Sequence, residues 1–272
     1  MDNLKKATIL VINQSRIDNV EKLIGKQYSE VIFWSKYVKN VILVCYSSVN
    51  EYLYNQIGNN VYLIGVPFDL STNIIKTLLN IIKNYFRLIF FLRKLCKKIK
   101  IDILGMENII ISGPVIFLIS KINKIPYLIW LVGNEKEALV SKYKENISTL
   151  FLKFLINIYE KLILKSANFV FYFSHELRGI GRKRNVVNGF LTPNFIDTNK
   201  FNDFHYKNKK NLDDKIKVLF VGRFSEEKGI KIIFKAINIL KSQNLNFEVL
   251  LVGDGYLKNW IKSYILAGKA VV

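Results

Sequence analysis

Arg223 and Lys228 are two cations spaced to flank the start of a helix, where a phosphate would bind. They lie in residues 217–229, KVLFVGRFSEEKG. A short apolar run ends at Gly222, and Ser225 with Glu226 and Glu227 reads as a helix N-cap and its acidic first turn. A helix N-terminus presents free N–H groups and the positive end of a dipole, so two added cations suit phosphate or diphosphate. The same residues also read as solvated charges beside an ordinary βα turn, and nothing local separates the two readings.

Other groups offer less. Gly253 and Gly255 bracket Asp254 after a second strand-like run, a pattern common at βα turns. Residues 130–135 end another run in Gly133, Asn134 and Glu135. There glycine permits close backbone approach, and the two polar residues can bond hydroxyl groups. Cys45 and Cys96 lack metal-ligand spacing and read as reduced thiols, and His175 and His205 are too isolated for a zinc site or a triad.

The elements that must position these groups follow from length and pattern. With 272 residues and 50% hydrophobic content, the chain is long enough for two domains with sizeable cores. Strand-like runs at 8–12, 41–46, 61–66, 101–106, 127–132 and 169–173 are mostly continuous and apolar, as in strands buried on both faces. Helix-like segments at 20–37, 73–98, 114–123, 146–165 and 175–182 lie between them, and the alternation predicts an α/β fold with a parallel sheet. Residues 202–215 are polar and read as a linker.

A formal net charge of +20 points to nucleic acid or an anionic membrane surface as partners. The whole chain is rich in Ile, Lys and Asn, and no nucleic-acid motif or aromatic-basic platform accompanies the charge, so nucleic acid is not expected. Lys76, Lys83, Arg87, Lys94 and Lys98 fall on one stripe of segment 73–98, and Lys153, Lys161 and Lys165 do the same in 146–165. Such stripes suit either anionic lipid or the solvated face of a helix packed on the sheet. Neither segment is apolar enough to span a bilayer, and the apolar run 7–12 is too short for a secretion signal. A cytoplasmic protein is expected, peripheral at the inner membrane face if the basic stripes bind lipid.

Four motifs in order carry a resemblance. They are Lys124-Ile125-Pro126-Tyr127 leading to Gly133-Asn134-Glu135, the segment Ser166-Ala167-Asn168 to Ser174, Pro193-Asn194-Phe195-Ile196-Asp197 to Phe201, and Gly222-Arg223 to Glu227-Lys228-Gly229 followed by Leu251-Val252-Gly253-Asp254-Gly255. Together they resemble family-four glycosyltransferases (glycosyl transferases group 1) of the two-domain GT-B type. The resemblance implies an acceptor-side Rossmann-like domain over 1–200, a linker over 201–215 and the start of a nucleotide-sugar-binding domain over 216–272. It implies that Gly222, Arg223, Lys228 and Gly229 hold the donor diphosphate, that Gly253 and Gly255 form a donor-side loop, and that Gly133, Asn134 and Glu135 serve the acceptor.

The implied reaction is retaining transfer of a hexose from a UDP- or GDP-sugar to a cell-surface glycan or lipid-linked acceptor, with no cofactor or metal. No catalytic residue is assigned. Val132 stands where the family often has His, and Phe195 where it often has Gly. The second domain is expected to be incomplete, without the family's paired glutamates, leaving the strand at 217–221 with an open edge and apolar surface exposed. The alternative expectation is therefore a non-catalytic remnant that binds membrane or partner proteins.

Overall fold

In the computed structural model the described residues are 4–17, 26–47, 51–67, 74–134, 147–193, 216–243 and 245–266. The expected linker, most of the Pro193-to-Phe201 motif, Glu135 and the start of the helix expected at 20–37 lie outside them. The chain divides into two compact units, Met1–Ile196 and Asp197–Val272.

The first unit is built on one eight-stranded sheet. Its strands are β1 (Thr8–Ile17), β2 (Asn40–Ser47), β3 (Leu53–Gly58), β4 (Val61–Pro67), β5 (Ile103–Met106), β6 (Tyr127–Leu131), β7 (Phe169–Tyr172) and β8 (Gly189–Leu191). Their order is β3-β4-β2-β1-β5-β6-β7-β8, and every pairing is parallel except β3 with β4. The winding reverses at β1, which pairs Leu10 with Ile42 of β2 and with Leu104 of β5. Central strands carry apolar runs, 9–12 in β1 and 41–45 in β2, because both faces are covered; in β2 every residue from Val41 to Ser47 is buried.

Helix α1 (Lys26–Ser35) packs on one face with Val11, Val41, Leu43 and Leu63. On that face Trp34 stacks on Trp130 with centroids 4.7 Å apart. Helices α2 (Ile74–Lys98), α3 (Ile109–Asn123) and α4 (Ile147–Ser166) cover the other face, where Leu88, Leu92, Val115, Ile116, Ile163 and Leu164 share a core with Leu10, Ile12 and Val44. Helix α5 (His175–Lys183) follows β7, capped by Ser174, whose Oγ accepts from the Leu177 N–H at 3.2 Å.

Three local differences from the sequence-based expectation have physical causes. Helix α3 begins at Ile109 rather than Pro114, because the Asn108 side chain accepts from the Ile111 N–H at 2.8 Å and caps it five residues earlier. Pro114 therefore lies inside the helix and cannot donate to the Ile110 carbonyl, which receives the Tyr85 hydroxyl of α2 at 3.4 Å instead. The basic stripe of α2 is broken, since Arg87 turns its Nη1 to the Pro67 carbonyl at 2.9 Å; the Lys76 side chain lies outside the described residues. Strand β3, not expected at all, is an antiparallel edge in which Asn55 and Gln56 interrupt the apolar pattern.

Two contacts fix the β6–β8 end. The Tyr127 hydroxyl donates to the Ile163 carbonyl at 2.7 Å and lies 2.7 Å from Ser166 Oγ, tying β6 to the end of α4; burial pushes this phenol up to about 12. Arg184, just past α5, bonds Glu160 of α4 at 2.6 Å and Asn157 at 2.7 Å. The Tyr172 ring fills the space beside Gly181 and Gly189, so a β-carbon at either glycine would collide with it.

The second unit carries β9 (Ile216–Val221) and β10 (Phe247–Val252), paired in parallel with Val218 opposite Val249. Helices α6 (Ile230–Ser242) and α7 (Lys258–Leu266) close a small core of Phe224, Ile230, Phe234, Ile237, Val249, Leu257 and Ile261 against one sheet face. Leu219, Val221, Leu250 and Val252 point the other way and are exposed.

Candidate functional site

In the second unit the carboxyl ends of β9 and β10 are laced together. The Gly222 N–H donates to the Val252 carbonyl at 3.0 Å, Phe224 N–H to the Asp254 carbonyl at 2.8 Å, and Leu257 N–H to the Phe224 carbonyl at 3.1 Å. Phe224 and Ser225 are buried, which anchors the turn and leaves Arg223, just before them, on the surface.

Gly253 and Gly255 are required by this lacing. A β-carbon at Gly253 would overlap the Gly222 carbonyl oxygen, and one at Gly255 would crowd the Phe224 backbone. Their φ values of 158° and 153° add a conformation that other residues rarely adopt. The close approach these glycines permit is thus to the backbone of the Arg223 turn itself.

Ser225 differs from its expected role. It precedes a three-residue 3-10 turn, Glu226–Lys228, and its side chain makes no capping bond; its Oγ is buried without a hydrogen-bond partner among the described residues. The turn stops at Gly229, whose φ of 71° requires glycine, and the α-helix starts only at Ile230. Lys228 therefore stands immediately ahead of the true helix start.

The charges around this turn are unequal. Arg223 Nη1 lies 3.4 Å from Glu227 Oε1, both well exposed, which makes a weak pair. Lys231 pairs with Glu226 and lies 5.9 Å from the centroid of the Trp260 ring. Lys258 pairs with Asp254 at 3.2 Å; the Gly255 N–H, first, and Lys258 hold that carboxyl below its ordinary value. Lys228 is exposed and has no partner among the described residues. Among the described residues Lys228 and Arg223 are thus the cations of this turn least engaged by carboxylates.

In the first unit Gly133 and Asn134 follow β6 at the carboxyl edge of the sheet. Gly133 is exposed, with open space where a β-carbon would stand, and Asn134 is half-buried. The winding reverses at β1, two strands away in the sheet, and open α/β sheets bind ligands at such a point. At that point sequence reasoning missed a pair: Asn13, buried, donates its Nδ2 to Glu107 Oε2 at 2.8 Å, just past the end of the β1–β5 pairing. A polar Glu107-Asn108 step closing an apolar strand is the signal that could have found Glu107.

The doubly wound first unit and the parallel strand pair with its cationic turn define the class: a GT-B-type glycosyltransferase fold. Residues 202–270 match the family model described as Glycosyl transferases group 1, so the resemblance read from the motifs is borne out. The structure is similar to sucrose-phosphate synthase from Thermosynechococcus elongatus, with a TM-score of 0.67 and 16% identity, over 98% of this chain and 70% of that one. It is also similar to alpha,alpha-trehalose 6-phosphate synthase from Burkholderia multivorans, with a TM-score of 0.63 and 11% identity, over 97% and 69%. A third similar structure is TarM, with a TM-score of 0.57 and 11% identity, over 100% and 76%. At these identities the likeness speaks for the fold. A search of curated proteins finds no match to the sequence.

Proposed function

We propose that the chain transfers a hexose from a nucleotide-diphosphate sugar to a cell-surface glycan or lipid-linked acceptor, with retention of configuration, on the cytoplasmic side of the membrane. The observation that supports this most is the cation pair Arg223 and Lys228 at the β9 turn, inside the segment that matches the glycosyltransferase model. Departure of the diphosphate builds negative charge on its oxygens. Two cations held beside a helix start would stabilise that charge from the moment of binding, in the role a metal ion takes elsewhere. Gly222 and Gly229 keep the turn narrow, Gly253 and Gly255 hold the neighbouring loop against it, and Gly133, Asn134 and Glu135 are the groups proposed for the acceptor.

Titration calorimetry of the full chain with UDP-glucose and GDP-mannose, with EDTA present, tests the reading. Micromolar heats with one donor support it; a folded chain that binds neither donor defeats it. A second reading, a partner-binding module without catalysis, is favoured by the exposed Leu219, Val221, Leu250 and Val252 on the free face of the β9–β10 sheet. Donor binding without any sugar transfer or donor hydrolysis would support that reading instead.

A further inference from the structure

We propose that the outer face of the α2–α3–α4 layer docks on an anionic lipid bilayer. The three helices lie side by side on one face of the first unit's sheet and share its core. Their outward surface is apolar where water would favour polar groups: Phe86 is 58% exposed, Phe90 68% and Phe154 59%, with Ile122, Ile158 and Leu162 also exposed. Exposed apolar residues on three neighbouring helices form a shared face rather than the scattered singles of an ordinary surface.

The charge on this face has one sign. Across the residues of all three helices the only carboxylate is Glu160. It is buried and bonded to Arg184, so it does not answer the cations outside. Each helix runs into a parallel strand, α2 into β5, α3 into β6 and α4 into β7, so their C-terminal ends share the amino edge of the sheet. Lys98, Lys121 and Lys165 fall in the last turns of these helices, with Lys94 and Lys161 about one turn further in, so the cations gather toward that edge.

Cations at helix C-termini also complement the helix dipole, which explains a band of lysines on its own. It does not explain three exposed phenylalanines beside them. Apolar rings bordered by unanswered cations suit one environment in particular, the boundary between acyl chains and anionic headgroups. A groove of about 560 Å³ beside α2, lined by Tyr52, Tyr54, Phe90, Lys94 and Lys98, gives a headgroup phosphate a place to sit. No helix among the described residues is long and apolar enough to cross a membrane, so the contact is along the surface.

This docking stands apart from donor binding, which uses the second unit and is measured separately. The test is co-sedimentation of the full chain with vesicles of phosphatidylcholine alone and of phosphatidylcholine mixed equally with phosphatidylglycerol. Binding to the mixed vesicles only, weakened by added salt, is expected. The double variant Phe86→Ser with Phe90→Ser and the double variant Lys94→Glu with Lys98→Glu should each weaken it about tenfold or more. All four side chains are exposed, so circular dichroism and the melting curve should stay unchanged. Equal binding to neutral vesicles, no binding by the folded chain, or folded variants that bind like the parent would overturn the proposal. So would a dimer in light scattering that Phe86→Ser with Phe90→Ser dissolves, because the face would then be covered by a second copy.

Discussion

Gly253 lies so close to Gly222 that a β-carbon at position 253 would overlap the Gly222 carbonyl oxygen. The neighbour is backbone and cannot rotate away. Gly253→Ala should therefore force the two strand-end loops apart and cost the second unit about 2–4 kcal/mol, with Gly255→Ala close behind. Urea melts followed by Trp260 fluorescence check this, and a change below about 0.5 kcal/mol would show that the loops part easily.

Arg223 and Lys228 are exposed, so their removal should leave stability within about 0.5 kcal/mol. Lys228→Ala should weaken UDP binding about tenfold or more, by loss of a charged hydrogen bond. If Arg223 holds the diphosphate as proposed, Glu227, paired with it at 3.4 Å, would compete with the ligand. Glu227→Gln should accordingly leave UDP affinity unchanged or raise it, and calorimetry on the two variants separates ligand contact from fold.

These predictions rest on a site only half legible in the sequence. The apolar run 41–46 announces a strand because both its faces are buried, and the cationic turn announces itself through residue types close together in the chain. Strand β3 stayed hidden because an antiparallel edge tolerates Asn55 and Gln56. The start of α3 was misplaced because a proline reads as a helix opening, while Asn108 caps earlier. The Asn13–Glu107 bond joins residues 94 apart in sequence, so a polar step after β5 can mark Glu107 but nothing local marks its pairing with Asn13. The glycines of the 253–255 loop could be seen, but not that they face the turn's own backbone.

The two cysteines should behave differently. Cys45 is fully buried, and burial, with a smaller contribution from the Glu107 charge, pushes its thiol up to about 12. Cys96 is half-buried, and burial raises its thiol in the same direction. Maleimide should label Cys96 in the folded chain and reach Cys45 only on unfolding. Rapid double labelling without urea would contradict this.

Alkaline pH should destabilise the first unit. Burial pushes Tyr46, like Cys45, up to about 12, so both keep their protons in the folded chain after an unfolded chain has released them. The folded state is then fully favoured below about pH 9, and loses about 1.4 kcal/mol per pH unit for each such group as pH rises toward 12. Urea midpoints at about pH 8 and about pH 11 measure the slope, and equal midpoints would refute it.

Glu160 and Arg184 are both largely buried and bonded at 2.6 Å. Glu160→Ala leaves the guanidinium facing Asn157 alone and should cost about 2–3 kcal/mol. The double variant with Arg184→Met should recover much of that loss in the same thermal melts, since no charge is then left stranded.

The ring of Tyr172 occupies space that side chains at 181 and 189 would need, which makes three positions distant in sequence one heritable unit. Alanine at either glycine is admissible only once the tyrosine has become smaller. The order of substitution therefore decides which descendants are reachable. A lineage that shortens position 172 first can change the glycines freely, whereas one that begins at a glycine must pass through a destabilised ancestor.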